Sequence, residues 1–538
     1  MISNLRLSNG LRLRLLVAAL LSFGWMTAAS AQVTAFKQAV AEAASRDADI
    51  AAFYRANDFS PIWTGRSDGD RARRQALLDA VMAADEHGLP SHRYDADALR
   101  SKMQAATDPQ SRGSLEVELS EVFLQFAQDL QSGILVPSRV DSEIKRQPPR
   151  REPGAYLTAL TTGNPASFFR TLPPQTAEYA RLMKHKRKLE MQMAQGGWGP
   201  TVPAEILRPG DTGPAVIALR NRMIAMGYLG RTAQAGYDAQ LQQAVQSFQQ
   251  DHGLMADGVA GAITMTEINR DVEERLGSVV VAMERERWIN LPEGLGSRHI
   301  KVNLTDFSAK IYDNDKLTFE TRSVIGADES DRRSPEFSDV MEFMVINPSW
   351  YVPRSIVTKE YLPQLQRNRN AVSHLLITDR SGREINRGAV NFSAYNASNF
   401  PFSMRQPPSD RNALGLVKFM FPNKYNIYLH DTPSKSLFDR ESRAFSHGCI
   451  RLQQPFEFAY ALLAKQTSDP EGFFRSKLRT GKEQRVNLDT PVPVHLIYRT
   501  ALTTAKGGLE FRRDVYGRDA RIWATLRNAG VALRAVRG

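Results

Sequence analysis

Cys449 is the only cysteine in a chain of 538 residues, and it stands in the stretch RAFSHGCIRL, residues 443–452. A lone thiol has two readings: a small buried hydrophobe, or a nucleophile whose proton a nearby imidazole removes. His430 supplies an imidazole upstream. It follows the alternating Asn-Ile-Tyr-Leu of 426–429 and precedes Asp-Thr-Pro, so it falls where a strand gives way to a loop, the usual place for catalytic groups. Gly448 suits a tight turn that lets another molecule come close. The N–H groups around Gly448 and Cys449 are expected to hold the oxyanion of a tetrahedral intermediate, a contribution of about 3 to 4 kcal/mol. Arg451 shares a strand face with Cys449 and is expected either to pair with an incoming carboxylate in bidentate fashion or to sit in a buried ion pair. His447 is either part of the site or a hydrogen-bonding loop residue.

A second chemistry uses the same residues differently. One Cys and two His can bind zinc, with a water in the fourth place, and hydrolyse amides. The chain has no His-Glu-x-x-His helix, and His447 and Cys449 need not converge. The first reading calls for no metal and no cofactor.

The compartment bears on the choice. The chain begins MISNLRLSNGLRLRLLVAALLSFGWMTAASAQV, with Arg6, Arg12 and Arg14 ahead of an apolar run from Leu15 to Trp25 and small residues at Ala29 and Ala31. Residues 1–31 read as a secretory signal peptide. The run is too short for a transmembrane anchor, which needs about 20 apolar residues, and no later stretch is long enough. Exported proteins use cysteines in pairs, so a leftover one points to a reactive thiol or an intermolecular bridge. The formal net charge is +12. Outside the cytoplasm that suits wall polymers or lipid headgroups, not nucleic acid.

The surrounding elements divide the chain into a multi-domain protein. Residues 32–205 carry apolar residues every three or four positions, as in LEVELSEVFLQFAQDLQSGIL, and read as a helical scaffold in which Trp63 is core. A Gly/Pro-rich break leads to a small three-helix module over 206–272, punctuated by Gly213, Gly227, Gly253, Gly258 and Gly261. A helical connector spans 273–296. From 297 to 500 the period becomes alternating and the region reads as β-rich, with a hairpin turn at Asp313-Asn314-Asp315 and a helix opening at Pro455. A partly helical insertion at about 354–410 reads as a lid. Residues 501–538 read as a basic C-terminal extension.

Two resemblances follow from these residues. Gly213-x-x-Val216-x-x-Leu219, Ala244-Val245-x-x-Phe248-Gln249 and Asp257-Gly258-Val259-x-Gly261-x-x-Thr264 resemble the peptidoglycan-binding type 1 module. His430-Asp431-Thr432, followed by Ser446-His447-Gly448-Cys449-Ile450-Arg451-Leu452, resembles the L,D-transpeptidase catalytic domain. The second resemblance implies a β-sandwich-like fold and the peptidoglycan stem peptide as substrate. Cys449 would attack the L-centre carbonyl of the third stem residue and expel terminal D-alanine. A second stem's side-chain amine would resolve the thioester into a 3–3 cross-link.

The resemblance makes His430 the base. The residue that orients it is left open between the Asp431 backbone carbonyl and the Asp431 carboxylate. Ser446, His447, Gly448 and Arg451 carry over as substrate-shaping or oxyanion-supporting positions. It further implies periplasmic, wall-associated action, other wall-synthesis proteins as possible partners, and acylation of a preformed Cys449 thiolate by carbapenems. The acceptor stays open among a stem peptide, a lipoprotein, a D-amino acid and water. A wall-anchored scaffold without activity is the remaining alternative, disfavoured because both Cys449 and His430 are in place.

Overall fold

The computed structural model describes residues 34–535; the signal peptide expected at 1–31 lies outside them. The N-terminal region is helical from residue 34 to Ala194, as its periodicity predicts. Its long helix, Pro109–Ser132, starts at an Asp108 side-chain cap and packs Leu119, Phe123 and Phe126 into one core with Trp63. Glu116 on that helix is fully buried. Its carboxylate accepts the N–H groups of Ile62, Trp63 and Thr64, which pins the extended segment before the next helix.

The small module has the three expected helices, Pro214–Met226, Ala239–Asp251 and Ala262–Asn269, around Leu219, Leu241 and Phe248. It is docked against the rest of the chain. Its His252 ring lies between Phe248 and Phe511, 3.8 and 5.6 Å away by ring centroids. Arg512 Nη1 donates to Asp251 O at 3.0 Å, and the Met255 N–H donates to Glu441 Oε2 at 3.1 Å.

The connector helix, Val272–Arg287, runs through the middle of the molecule. Arg285 on it is fully buried and pairs with Glu336 at 2.5 Å and Asp519 at 2.7 Å. This alters the picture of the C-terminal segment as a basic extension. Residues 501–511 form a hairpin against the connector and the scaffold's last helix, and Arg518–Asn528 form a helix whose Ile522 and Leu526 are buried against Val280, Val281 and Trp288. The positive residues that made the extension basic are in part buried ion-pair members: Arg518 pairs with Glu336.

The β-rich domain contains β1 (Arg298–Asn303), β2 (Ser308–Asp313), β3 (Lys316–Gly326), β4 (Phe337–Ile346), β5 (Trp350–Tyr351), β6 (Leu376–Thr378), β7 (Ser403–Gln406), β8 (Val417–Met420), β9 (Leu429–His430), β10 (Ala444–Ser446), β11 (Ile450–Leu452) and β12 (Gln484–Ile497). The main sheet runs β10-β3-β11-β9-β8-β4-β12-β1-β2, and β2 also pairs with β3, so the sheet closes on itself around the core. The β2–β3 turn sits where expected, with Asn314 and Asp315 at φ 50° and 60°, the left-handed pair a two-residue type I′ hairpin requires. Scaffold residues extend the domain's edge: Lys145 N–H donates to Glu336 O, and Glu336 N–H to Glu143 O, both at 2.9 Å.

The insertion lies between β4 and β8 and is a folded unit. It has a three-stranded sheet, β5-β7-β6, a helical stretch over 354–367 with a π-helical turn at Val357–Tyr361, and a core of Trp350, Val357, Leu362, Phe392, Phe400 and Met404. Tyr428, beside His430, packs on that core.

Candidate active site

The register of three adjacent strands builds the site. Parallel β9 and β11 place His430 opposite Arg451 and Leu429 opposite Ile450. Antiparallel β8 and β9 place Lys418 opposite His430 and Phe419 opposite Leu429. Phe419, Leu429 and Ile450 point into the core. Because side chains alternate along a strand, Lys418, His430 and Arg451 occupy the other face, which the insertion covers. Cys449 precedes β11 by one residue, on the Arg451 side.

The loop carrying the thiol is fixed by its own backbone and by one serine. Gly448 has φ +106°, and a side chain there would press on Ile427 Cδ1 at 3.2 Å. Ser446, buried, donates its hydroxyl to Cys449 O at 2.5 Å and accepts the Gly448 N–H at 3.2 Å. Ser334 Oγ donates to Gly448 O at 2.7 Å. The Tyr516 hydroxyl accepts the Ser334 N–H and donates to Gly326 O. The Gly448 N–H, expected to serve an oxyanion, is therefore engaged by Ser446. Among the expected donors the Cys449 N–H remains.

His430 is buried, and its Nδ1–H donates to the Asp431 backbone carbonyl at 2.5 Å. That leaves Nε2 as the nitrogen able to take a proton. The Asp431 carboxylate does other work: it accepts the N–H groups of Leu416 and Thr432 and pairs with Lys435 at 2.6 Å. It sits so tightly against Gly415 that a Cβ there would fall 2.3 Å from the carboxyl carbon. Of the two orienting groups left open by sequence, the carbonyl is the one in contact.

The charge states differ from the expected preformed thiolate. Burial pushes the Cys449 thiol up to about 11; hydrogen bonds from Tyr428 and the charges of Arg451 and Lys418 pull the other way without offsetting it. Burial, reinforced by Arg451 and Lys418, pushes the His430 imidazole down to about 3. Desolvation penalises both ions, so burial favours the neutral thiol and the neutral imidazole. The Cys449 thiol donates to Asn426 O at 3.4 Å.

His447 is exposed and bonds to the insertion. Its Nε2 lies 2.6 Å from Glu360 Oε1 in the π-helical turn, and Arg332 Nη2 donates to the same oxygen at 3.0 Å. Arg451 is half-buried with its Nε unpartnered and no ion pair among the described residues, so the buried-pair alternative is not what the fold provides. No group of His, Cys, Asp and Glu among the described residues is arranged to hold a metal ion. Sequence reasoning missed Lys418, Ser334, Glu360 and Tyr516. Lys418 had a signal: a lone charge inside the apolar alternation LVKFMF.

Comparison with known proteins gives three matched regions. Residues 48–185 match the family described as "Scaffold domain", residues 212–268 that described as "Putative peptidoglycan binding domain", and residues 297–494 the "L,D-transpeptidase catalytic domain". A curated Haemophilus influenzae protein named "Putative L,D-transpeptidase" is 30% identical over 244 residues, which is 45% of this chain and 48% of the relative. The chain thus spans about half the length of that relative. Solved L,D-transpeptidase structures from Xylanimonas cellulosilytica and Stackebrandtia nassauensis align at 15% and 14% identity. They cover 56% of this chain and 98% and 97% of their own, with TM-scores of 0.17 and 0.21, too low to bear on the fold. Residues 297–494 are thus similar to an L,D-transpeptidase catalytic domain and residues 212–268 to a peptidoglycan-binding domain.

Proposed function

We propose that the protein is a cell-wall transpeptidase that acts on peptidoglycan stem peptides through a Cys449 thioester. The observation that carries this reading is the pairing of β9 with β11, which sets Cys449 and an oriented His430 on one face beneath the insertion. Since both groups rest neutral, proton transfer accompanies attack: Sγ bonds to the carbonyl carbon of the third stem residue as Nε2 takes the thiol proton. The Cys449 N–H is placed to stabilise the oxyanion. Collapse breaks the peptide bond, and the imidazolium returns its proton to the leaving D-alanine nitrogen. The side-chain amine of a second stem then attacks the thioester, giving a 3–3 peptide bond and restoring the thiol. Arg451 has a free guanidinium for a substrate carboxylate, and the module over 212–268 supports wall association. The sequence start supports export to the periplasm, and no described helix is long and apolar enough to cross a membrane.

The test is incubation of the purified protein with disaccharide-tetrapeptide. Mass spectrometry should find an acyl adduct on Cys449, free D-alanine and a 3–3 dimer, all lost in Cys449→Ala with an unchanged circular dichroism spectrum. Cleavage of the sugar–peptide amide would instead mark the zinc-amidase alternative. Carbapenems should label the same thiol.

A further inference from the structure

Lys418, His430 and Arg451 form a row across β8, β9 and β11, with a cation on each side of the imidazole. Neighbouring cations of the domain are paired: Lys435 with Asp431, Arg332 with Glu360, Lys310 with Glu320. The Lys418 and Arg451 side chains form no ion pair and no hydrogen bond with the described residues. The aromatic neighbour of Lys418 is the Tyr428 ring, 6.0 Å from Nζ. Glu483, the carboxylate whose field most favours the Lys418 charge, accepts the Ser349 N–H and forms no ion pair with the lysine. Both cations are half-buried, and burial lowers the pKa of both. Two partly desolvated like charges beside a base, with nothing opposite them, are costly to hold. A ligand anion would offset that cost.

The reaction proposed above supplies one. In a donor that loses its last residue, the terminal carboxylate is separated from the attacked carbonyl carbon by one nitrogen and one Cα, so the two carbons lie within about 4 Å. Adjacent strands are about 4.8 Å apart, and a lysine stem reaches across one of them. Building on that reading of the site, we propose that Lys418 is a specificity-determining residue which, with Arg451, binds the terminal carboxylate of the acyl donor. An anion fixed there sets the scissile carbonyl over Cys449 and restricts the enzyme to releasing a single terminal residue. A donor whose fourth residue ends in an amide leaves both cations unpaired and is rejected.

Two stem tetrapeptides, alike except for a C-terminal acid or primary amide, test this. Wild type should favour the acid in kcat/KM by at least about 30-fold, as expected for charge-assisted hydrogen bonds. Lys418→Met should cut that preference about tenfold, mainly through the KM of the acid donor. Lys418→Arg should keep it within about threefold. Equal losses on both donors, or an undiminished preference in Lys418→Met, would overturn the proposal. Calorimetric binding of both peptides to the full-length Cys449→Ala protein separates this from the chemistry. If wild type transfers no acyl group from either peptide, the transpeptidase reading falls; tighter acid binding that disappears in the Lys418→Met double variant would still support Lys418. Equal binding of acid and amide would refute its role.

Discussion

His447 Nε2 and Glu360 Oε1 meet at 2.6 Å, so the motif that carries the nucleophile is fastened to the insertion that covers it. Arg332 joins the same oxygen, and Lys359 pairs with Asp331 beside it. The groups in the His447–Glu360 contact are about one-third exposed, and such pairs contribute about 0.2 to 1 kcal/mol. Glu360→Ala should therefore speed amide exchange at 357–361 and alkylation of Cys449 by about two- to fivefold, read by mass spectrometry. Exchange at the wild-type rate would mean the contact does not hold the insertion down.

The neutral Cys449–His430 pair has a pH signature. The thiol is raised from its ordinary value to about 11, so the thiolate fraction at pH 7 is lower than for a free cysteine and grows throughout the alkaline range. Iodoacetamide alkylation of the unliganded protein should keep accelerating between pH 8 and 10, with no plateau near neutrality. A rate already level by pH 7 would indicate a thiolate–imidazolium pair instead.

Docking of the small module changes what its removal does. His252 faces Phe511, which is buried, and Arg512 reaches Asp251. Deleting residues 207–269 uncovers that ring, a loss of about 2 kcal/mol, and should lower Tm by about 4 to 8 °C. Turnover of soluble muropeptides should fall together with action on intact sacculi, the latter more steeply. An unchanged Tm with loss confined to sacculi would leave the module a tether alone.

The chemistry was legible where residue type restricts it. A single thiol after a glycine and a histidine at a strand end were visible as a candidate pair, and the fold puts Cys449 directly before β11 and His430 on the neighbouring β9. The three-helix module and the Asn314-Asp315 turn were legible because glycine and left-handed residues punctuate local structure. What stayed hidden depends on contacts distant in sequence. The β3–β11 and β12–β1 pairings that complete the closed sheet and the burial of Arg518 against Glu336 leave no local trace, so a packed helix read as a basic extension. The direction in which the thiol shifts is hidden for the same reason: burial raises it against the cations beside it, and burial is set by contacts distant in sequence. Lys418 was visible as a charge, but its place opposite His430 exists only once β8 and β9 pair.

The Tyr516 hydroxyl holds Ser334, and Ser334 holds the Gly448 carbonyl. A ribosome delivers Gly448 and Cys449 well before Tyr516, so the nascent protein carries its nucleophile on a loop whose outer brace has not yet been made. A product truncated after β12 would display the Ser446–Leu452 motif and lack the hydrogen bonds that brace its loop from outside.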